Sequence, residues 1–519
     1  MSAHRLLALD VGTQSVRAIV FDAQGRLIAK AQRVFEPTYT SPQPGWAEQN
    51  PELYWNELAA AVRELWLSGA VKPHEISGLA LTTQRASMVC LDDAGRVLRP
   101  AILWLDQRRC TRPPPMGPLW ATLFKLARAD DLIHNLQVQA EANWLAQNEP
   151  ALWGDTKKYL FLSGFLTHRL IGEYVDSSGC QVGYVPFDYK NLTWAKPSDF
   201  KWKAIAVRAE QLPRLAAPGT PLGRLSAKAA EALGLPQGLT VIAAAADKAC
   251  EVLGSGALEP DTAQLSFGTT ATINTTQTQY IEVQKLLPPY PAALPGAYNT
   301  EINIYRGFWM VSWFKREFAH REQTLAKERG VPVESLFDDL VNSVPPGAMG
   351  LTLQPYWTPG VRDPGPEAKG AIIGFGDVHT RAHLYRAMIE GLIYGLRAGK
   401  EQIEKRIGHK IRRLLVAGGG SQSDAAMQIT ADVFGLTAER PQVTETSALG
   451  AALNLAVGLG IHPDYPSAVK AMTRVGSRFA PDAKAQKVYD QLYCEVYQPM
   501  YPRLKPLYEK IRSITGYPP

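Results

Sequence analysis

The chain has 519 residues, of which 46% are hydrophobic and 20% are charged, and its net charge is +6. This composition excludes a globally disordered or collagen-like chain, and the length predicts roughly two to four domains. The basic clusters are short and isolated, which argues against nucleic-acid binding. The five cysteines include no Cys-x-x-Cys pair, so neither a disulfide framework nor a structural zinc site is expected.

The sequence contains no pattern that is typical of a membrane or export segment. Arg5 is followed by only four apolar residues before Asp10, too few for the core of a signal peptide. The longest run of small and apolar residues, 448–461, is shorter than the about 18 residues needed to span a bilayer. We therefore expect a cytoplasmic protein that does not interact with membranes.

The N-terminus predicts an antiparallel β-meander. Apolar runs at residues 6–11, 16–21 and 27–34 are separated by Gly12-Thr13 and Gln24-Gly25, which are typical turn pairs. The first run is apolar on both faces, as expected for a central strand, and it ends at Asp10 and Val11. The sequence therefore predicts a carboxylate near the C-terminal end of the first strand.

A second hairpin of the same kind is predicted in the middle of the chain. Residues 262–274 can be aligned with residues 6–18, and Gly268-Thr269 then matches Gly12-Thr13. Because Gly-Thr turns are common between strands, the match by itself leaves both duplication and coincidence open. The segment 254–260 resembles a crossing between two halves, so we predict two α/β domains that meet near residue 255.

Helix and strand patterns alternate between these hairpins. Asn50-Pro51 supplies an N-cap and a first-turn proline for an amphipathic helix. Short apolar runs predict further strands at residues 76–81, 88–91, 239–244 and 413–416. Tyrosines recur every four residues from Tyr489 to Tyr501, which predicts a C-terminal helix whose tyrosine stripe packs on the domain or binds a partner.

Three junctions between a strand and a glycine suggest phosphate binding: DVGTQS at 10–15, SFGTT at 266–270 and VAGGGSQSD at 416–424. Backbone N–H groups in such turns, or at the start of the predicted helix 424–434, favour anions. The alternative for each junction is a tight turn with glycine at positive φ. The sequence has neither a Walker motif nor a Gly-x-Gly-x-x-Gly fingerprint, so an actin-like architecture remains.

Asp10 and Asp247 are the candidate magnesium ligands of that architecture, because Mg²⁺ prefers oxygen ligands and keeps several waters. Asp247 follows the apolar run 241–246, where a lone carboxylate is costly to bury. It is therefore either the N-cap of the next helix or a general base that accepts the proton of an attacking hydroxyl group. We expect Lys248 beside it to favour the ionised form.

These residues together resemble the FGGY family of carbohydrate kinases over about residues 5–460. The opening motif LDVGTQSVR at 9–17 and the element PGWAEQNP at 44–51 occur in the order of that family. Further matching elements lie at 83–85 (TQR), 101–108 (AILWLDQR), Asp247, 266–269 (SFGT), 370–375 (GAIIGF) and 418–423 (GGGSQS).

The resemblance implies an α/β fold of two actin-like (ribonuclease H-like) domains with a central cleft, at 1–255 and 256–519. The sugar would bind mainly to the first domain and ATP with Mg²⁺ mainly to the second. It also implies phosphoryl transfer to a hydroxyl group of a small sugar, ketose or polyol. The residues implied are a catalytic base at Asp247; substrate contacts at Arg85, Trp104, Asp247 and Lys248; nucleotide contacts at Thr13, Gln14, Ser15, Gly268, Thr269, Gly307, Ser312, Gly419 and Ser423; and metal contacts at Asp10 and Asp247.

The substrate positions depart from those of the glycerol kinases in the family. Ala86 replaces an acidic substrate contact, Leu136 replaces a tyrosine, and Lys248 replaces a glutamine, so a substrate other than glycerol is expected. The charges of Arg85 and Lys248 suggest a sugar acid or a more oxygenated polyol. The alternative for Lys248 is a salt bridge to Asp10 or to another carboxylate in the cleft.

A second class of function stays open, because actin-like folds also support ATPases without sugar phosphorylation and inactive relatives of kinases can occur. The expected partner is a small sugar or polyol, and a homodimer is not excluded by anything in the sequence.

Overall fold

The structure is a computed structural model that describes residues 4–127, 129–360 and 364–517. It contains two central mixed β-sheets of the same design, each with a three-stranded antiparallel part followed by parallel strands. Among the described residues, no helix is long and apolar enough to cross a membrane. The predicted α/β architecture is confirmed.

The sheet of the N-terminal half is built around the predicted meander. Its strands are β1 (Arg5–Val11), β2 (Ser15–Asp22), β3 (Leu27–Val34), β4 (Ile76–Thr83), β5 (Pro221–Arg224) and β6 (Thr240–Ala243). The spatial order is β5-β6-β4-β1-β2-β3, with β1 antiparallel to β2 and parallel to β4. Six of the seven residues of β1 are buried, so the apolar run predicted as a central strand is central.

The sheet of the C-terminal half repeats this arrangement. Its strands are β7 (Thr262–Phe267), β8 (Ala271–Gln277), β9 (Tyr290–Pro291), β10 (Tyr298–Ile304), β11 (Arg413–Ala417), β12 (Ala438–Pro441) and β13 (Val475–Phe479). The order is β9-β10-β8-β7-β11-β12-β13, with β7 antiparallel to β8 and parallel to β11. The predicted second hairpin is therefore the structural counterpart of the first.

The main helices cover these sheets. They are α1 (Pro51–Leu67), α2 (Leu162–Ile171), α3 (Asp247–Gly254), α4 (Trp309–Phe318), α5 (Arg381–Ile407), α6 (Asp424–Phe434), α7 (Thr446–Gly458), α8 (Ala483–Leu492) and α9 (Gln498–Thr515). Helix α1 begins at Pro51, and the Asn50 side chain accepts a hydrogen bond from the N–H of Glu52, as the sequence predicts. Helix α6 also has its predicted bounds.

Shorter elements complete the two halves. The further helices are Gly117–Leu126, Asp130–Gln139, Glu141–Asn148, Pro150–Asp155, Lys201–Ala204, Ala227–Leu233, His320–Arg329, Phe337–Asn342 and Tyr465–Met472. A small sheet in the N-terminal half consists of Glu48–Gln49, Ala101–Ile102, Met88–Leu91 and Lys158–Phe161. The two-stranded pairs are Val175–Ser177 with Arg214–Ala216, Phe187–Asp188 with Thr193–Trp194, and Thr352–Gln354 with Ala371–Ile373.

Helix α7 joins the two halves, because it follows β12 in the chain but packs into the apolar cluster of β1, β4 and α3. The contact with α3 requires glycine on both helices. A Cβ atom at Gly254 would lie 1.9 Å from the carbonyl oxygen of Thr446, and one at Gly450 would lie 2.0 Å from that of Cys250. This close packing fixes α3, and with it Asp247, at the junction of the halves.

The C-terminal tyrosines pack on the domain, which was the first of the two predicted alternatives. Tyr489, Tyr493 and Tyr497 are buried beside Tyr394 of α5, and their rings contact the ring of Tyr394. The segment is not one regular helix, since a π-helical turn at Tyr493–Tyr497 connects α8 to α9.

Candidate active site

Asp247 is the first residue of α3, and Ala246 occupies the N-cap position. Its Oδ1 atom accepts a hydrogen bond of 2.8 Å from the N–H of Lys248. The N-cap alternative is therefore wrong in its position, although the carboxylate still lies at the start of the helix. Burial raises the pKa of Asp247, while the positive charges of Arg85 and Lys248 oppose that rise. Lys248 thus favours the ionised form of Asp247, as expected, although burial has the larger effect on the pKa.

Asp10 lies near the end of β1 and is 4% exposed. Arg17 on β2 donates a hydrogen bond of 2.9 Å from Nη1 to its Oδ2. Burial raises the pKa of Asp10 to about 6, opposed mainly by Arg17, and the negative charge of Asp247 contributes to the rise. The two predicted metal contacts thus lie within electrostatic reach of each other.

The buried carboxylate of Asp10 and the partly exposed carboxylate of Asp247, whose negative charge disfavours ionisation of Asp10, fit a divalent cation. Among the described residues, no cluster of three or more His, Cys, Asp and Glu side chains has metal-binding geometry. Mg²⁺ needs no such cluster, since it is commonly held by one or two carboxylates, water and substrate phosphates. Asp10 and Asp247 would hold it here, and the bound ion would neutralise charge on the phosphates.

Lys248 extends from α3 towards the second glycine hairpin. Its Nζ atom lies 2.8 Å from Oε2 of Glu251 and donates a hydrogen bond of 2.6 Å to Oγ of Ser266. A Cβ atom at Gly268 would lie 3.5 Å from the same Nζ. The salt bridge that was the alternative for Lys248 is present, and its partner is Glu251 rather than Asp10.

Arg85 follows β4 and reaches across to the C-terminal half. Its Nη2 and Nη1 atoms lie 3.0 Å and 3.4 Å from the two carboxylate oxygens of Glu301 on β10. The guanidinium group also lies over the ring of Tyr290, 5.0 Å from its centroid. These residues, with Lys248 and Asn299, are among those that line a small cavity between the halves.

Glu301 and Tyr290 escaped prediction because they are more than 200 residues from Arg85 in sequence. The one signal in the sequence is an acidic residue within the strand pattern of β10. The structure shows that the side chain of Glu301 is only 3% exposed.

The first hairpin contacts Trp104, one of the predicted substrate residues, directly. The indole Nε1 of Trp104 donates a hydrogen bond of 2.9 Å to Oγ1 of Thr13, which in turn donates one of 2.5 Å to Oε1 of Gln84. Gln14 is exposed at the turn, and Oγ of Ser15 accepts a hydrogen bond from the side chain of Gln32. The structure thus brings Thr13 and Trp104 together.

The segments of the C-terminal half that carry predicted nucleotide contacts also come together. The N–H of Phe308 donates to the carbonyl oxygen of Gly268, and that of Trp309 donates to Thr269. A Cβ atom at Gly307 would lie 2.2 Å from the backbone nitrogen of Ala271. The triglycine segment packs on the same residues, since a Cβ atom at Gly420 would lie 2.3 Å from the Phe308 ring.

Backbone conformation does not explain the glycines of the two hairpins. Neither Gly12 nor Gly268 has a positive φ, whereas Gly418 has a φ of 87°. The tight-turn alternative therefore applies to Gly418 in the third junction and not to the two hairpin glycines.

The start of α6 differs from the prediction of free N–H groups. Asp338, on the helix Phe337–Asn342, accepts hydrogen bonds from the N–H groups of Asp424 and Ala425 and from Oγ of Ser423. Ser423 itself caps the N–H of Ala426. A protein carboxylate thus occupies the helix terminus, while Gly419 and Ser312, elsewhere in the C-terminal half, are exposed.

Family models match both halves of the chain. Residues 5–254 match the N-terminal domain of the FGGY family of carbohydrate kinases, and residues 263–459 match the C-terminal domain of that family.

Individual proteins show the same similarity over nearly the full length. An uncharacterised sugar kinase of Escherichia coli, YgcE, is 30% identical over 95% of this chain and 92% of its own length. A xylulose kinase of Lactococcus lactis is 27% identical over 96% of each chain. The crystal structure of xylulose kinase from Rhodospirillum rubrum superimposes with a TM-score of 0.80 and 27% identity, over 97% of this chain and 100% of that one.

Proposed function

The chain belongs to the FGGY family of carbohydrate kinases and is an ATP-dependent sugar phosphotransferase, and on this premise we propose that its acceptor is a small neutral sugar, ketose or polyol. The observation that carries the proposal is the convergence of Asp247, Asp10 and Arg85 at the junction of the halves.

Asp247 acts as the general base in this proposal. Its ionised carboxylate takes the proton of the acceptor hydroxyl group as the new bond forms between that oxygen and the γ-phosphorus of ATP. The bond between the γ-phosphorus and the bridging oxygen breaks, and ADP leaves. Arg85 and Lys248 favour the ionised base, and closure of the halves excludes water as a competing acceptor.

The nucleotide side consists of the two hairpins and the triglycine segment. We assign nucleotide contacts to Thr13, Gln14, Ser15, Gly268, Thr269, Ser312, Gly419 and Ser423, and magnesium contacts to Asp10 and Asp247. The contacts of Phe308 with Gly268 and Gly420 support the assignment for the C-terminal half, because they group the second hairpin and the triglycine segment at one end of the C-terminal sheet.

A neutral acceptor is favoured over a sugar acid by the charge balance of the cavity. The positive charges of Arg85 and Lys248 led to the sugar-acid hypothesis, but each cation is paired with a carboxylate, Glu301 and Glu251 respectively. With Asp247 and Asp10 nearby, no excess positive charge is left to attract an anionic acceptor. Trp104, through its hydrogen bond to Thr13, adds a partly exposed apolar surface for the sugar.

The test is release of ADP from ATP and Mg²⁺ in the presence of a panel of neutral ketoses, polyols and aldonic acids. We expect ADP release to rise with a neutral member of the panel and a phosphorylated product to appear. An ATPase activity that no acceptor stimulates would instead support the alternative of an actin-like ATPase.

A further inference from the structure

We propose that Glu301 and Asn299, both on β10 of the C-terminal half, bind hydroxyl groups of the acceptor. Both halves of the chain then contribute to the acceptor pocket. This inference rests on the proposed function and deepens it, because it names residues that select the substrate. Both residues line the cavity that Arg85 and Lys248 also border.

The Arg85–Glu301 pair offers hydrogen-bond donors and acceptors side by side. The contacts of 3.0 Å and 3.4 Å use two of the five N–H groups of Arg85 and one position on each carboxylate oxygen of Glu301. The remaining N–H donors of the guanidinium group and the remaining lone pairs of the carboxylate lie side by side. Because each hydroxyl group both donates and accepts, this arrangement suits a pair of neighbouring hydroxyl groups on a polyol or ketose.

Asn299 adds a hydrogen-bond acceptor that no other described residue uses. The residue is 3% exposed, and its Oδ1 atom has no hydrogen-bond partner among the described residues. Such a buried acceptor is costly unless a ligand or water satisfies it. Residues two apart on a strand point to the same face, so Asn299 and Glu301 present their side chains to the cavity together.

The carboxylate of Glu301 lies beside Arg85, whose neighbour in the chain, Ala86, has no polar side-chain group to offer a hydroxyl group of the sugar. Glu301 supplies a carboxylate from the opposite half, held against the neighbouring Arg85. Placing the acid across the cleft changes the direction from which a hydroxyl group is recognised.

The first test is Glu301→Gln, assayed with the best neutral acceptor found for the wild-type enzyme. We expect kcat/KM for the acceptor to fall about 10- to 100-fold, while KM for ATP changes less than about twofold. An acceptor analogue that lacks the recognised hydroxyl group should be used equally well by both proteins. Glu282→Gln is the matched control, since the Glu282 carboxylate contacts Tyr280 and the backbone at Leu286 rather than the cavity.

Asn299→Leu keeps the test decisive if Glu301→Gln does not fold. Removing an unpaired buried oxygen should leave the thermal midpoint unchanged or higher, and yet kcat/KM for the acceptor should fall. If the wild-type enzyme phosphorylates an acceptor but neither substitution alters acceptor kinetics, the inference is overturned and the proposed function stands. If no acceptor is phosphorylated by the wild-type enzyme, the proposed function itself is overturned.

Discussion

The Nζ atom of Lys248 donates a hydrogen bond of 2.6 Å to Oγ of Ser266, and this contact joins the start of α3 to the end of strand β7, just before its glycine hairpin. Ser266 Oγ also donates to Oε2 of Glu251, 3.0 Å away, so the three side chains form a closed triangle. The helix that carries the proposed base is thereby tied to the hairpin that we assign to phosphate binding.

Lys248→Met should destabilise the protein by about 1–3 kcal/mol, because Glu251 would lose its cation while only 7% of its side chain is exposed. The double variant Lys248→Met/Glu251→Gln should recover much of this loss. Urea unfolding measures both values. Lys315→Met is the control, since its pair with Glu334 is largely exposed and should contribute less than about 1 kcal/mol. A double variant no more stable than the single one would contradict the ion-pair explanation.

Asp247→Asn should reduce phosphoryl transfer about 10²- to 10⁴-fold, because the amide cannot accept the proton of the acceptor. Its Oδ1 atom can still accept the hydrogen bond from the N–H of Lys248, so the start of α3 should be preserved. Turnover is measured by ADP release, and ATP affinity by calorimetry, which should show little change.

Asp93→Asn serves as the control for that substitution, because Asp93 is exposed in a turn of the N-terminal half. Near-normal turnover of Asp247→Asn, with ATP still bound, would remove Asp247 from its proposed role.

Much of the fold could be predicted because its strands, turns and helix caps depend on residues that are close in sequence. The apolar run of β1, the turn at Gly12 and the cap at Asn50 each involve residues that are close in sequence. The repeat of the hairpin at Gly268 then indicated a second sheet. Local patterns of this kind specify elements and their ends, and the ends of the strands are where the candidate site lies.

The rest depends on contacts between distant parts of the chain. Glu301 pairs with Arg85 and Asp338 caps α6, but neither acid belongs to a motif or lies near its partner in sequence. The position of α7 against the N-terminal sheet likewise depends on contacts with residues far away in sequence, such as Leu6 and Ala8 of β1. Charge counted along the sequence therefore suggested a cationic cavity, whereas the folded cavity is balanced.

Activity and stability should depend on pH in opposite ways because burial raises the pKa of Asp10 to about 6. The folded protein then binds a proton that the unfolded chain, with an ordinary pKa near 3.8, has already released. The stabilisation from this proton is complete below pH about 4 and is lost as the pH rises through about 6. The ionised carboxylate needed for the metal appears over the same range, so kcat/KM should rise there.

Denaturant unfolding and initial rates at a series of pH values test this expectation. Asp10→Asn should abolish its share of the pH dependence of stability, and a higher Mg²⁺ concentration should move the acidic limb of the wild-type rate profile to lower pH, because the cation competes with the proton. An acidic limb that does not respond to Mg²⁺ would separate Asp10 from metal binding.

Gly419→Ala should weaken ATP binding without weakening the fold. A Cβ atom at this position would have no heavy atom within 4 Å, and Gly419 is not in the left-handed region, so alanine fits the protein itself. If the nucleotide packs on this backbone as we propose, the added methyl group should raise KM for ATP several-fold while the thermal midpoint stays within about 1 °C. Gly420→Ala is the contrast, because its Cβ atom would meet the Phe308 ring at 2.3 Å and should lower the thermal midpoint. Thermal unfolding and ATP kinetics of the two variants distinguish a ligand contact from a packing requirement, and an unchanged KM for ATP in Gly419→Ala would place the nucleotide elsewhere.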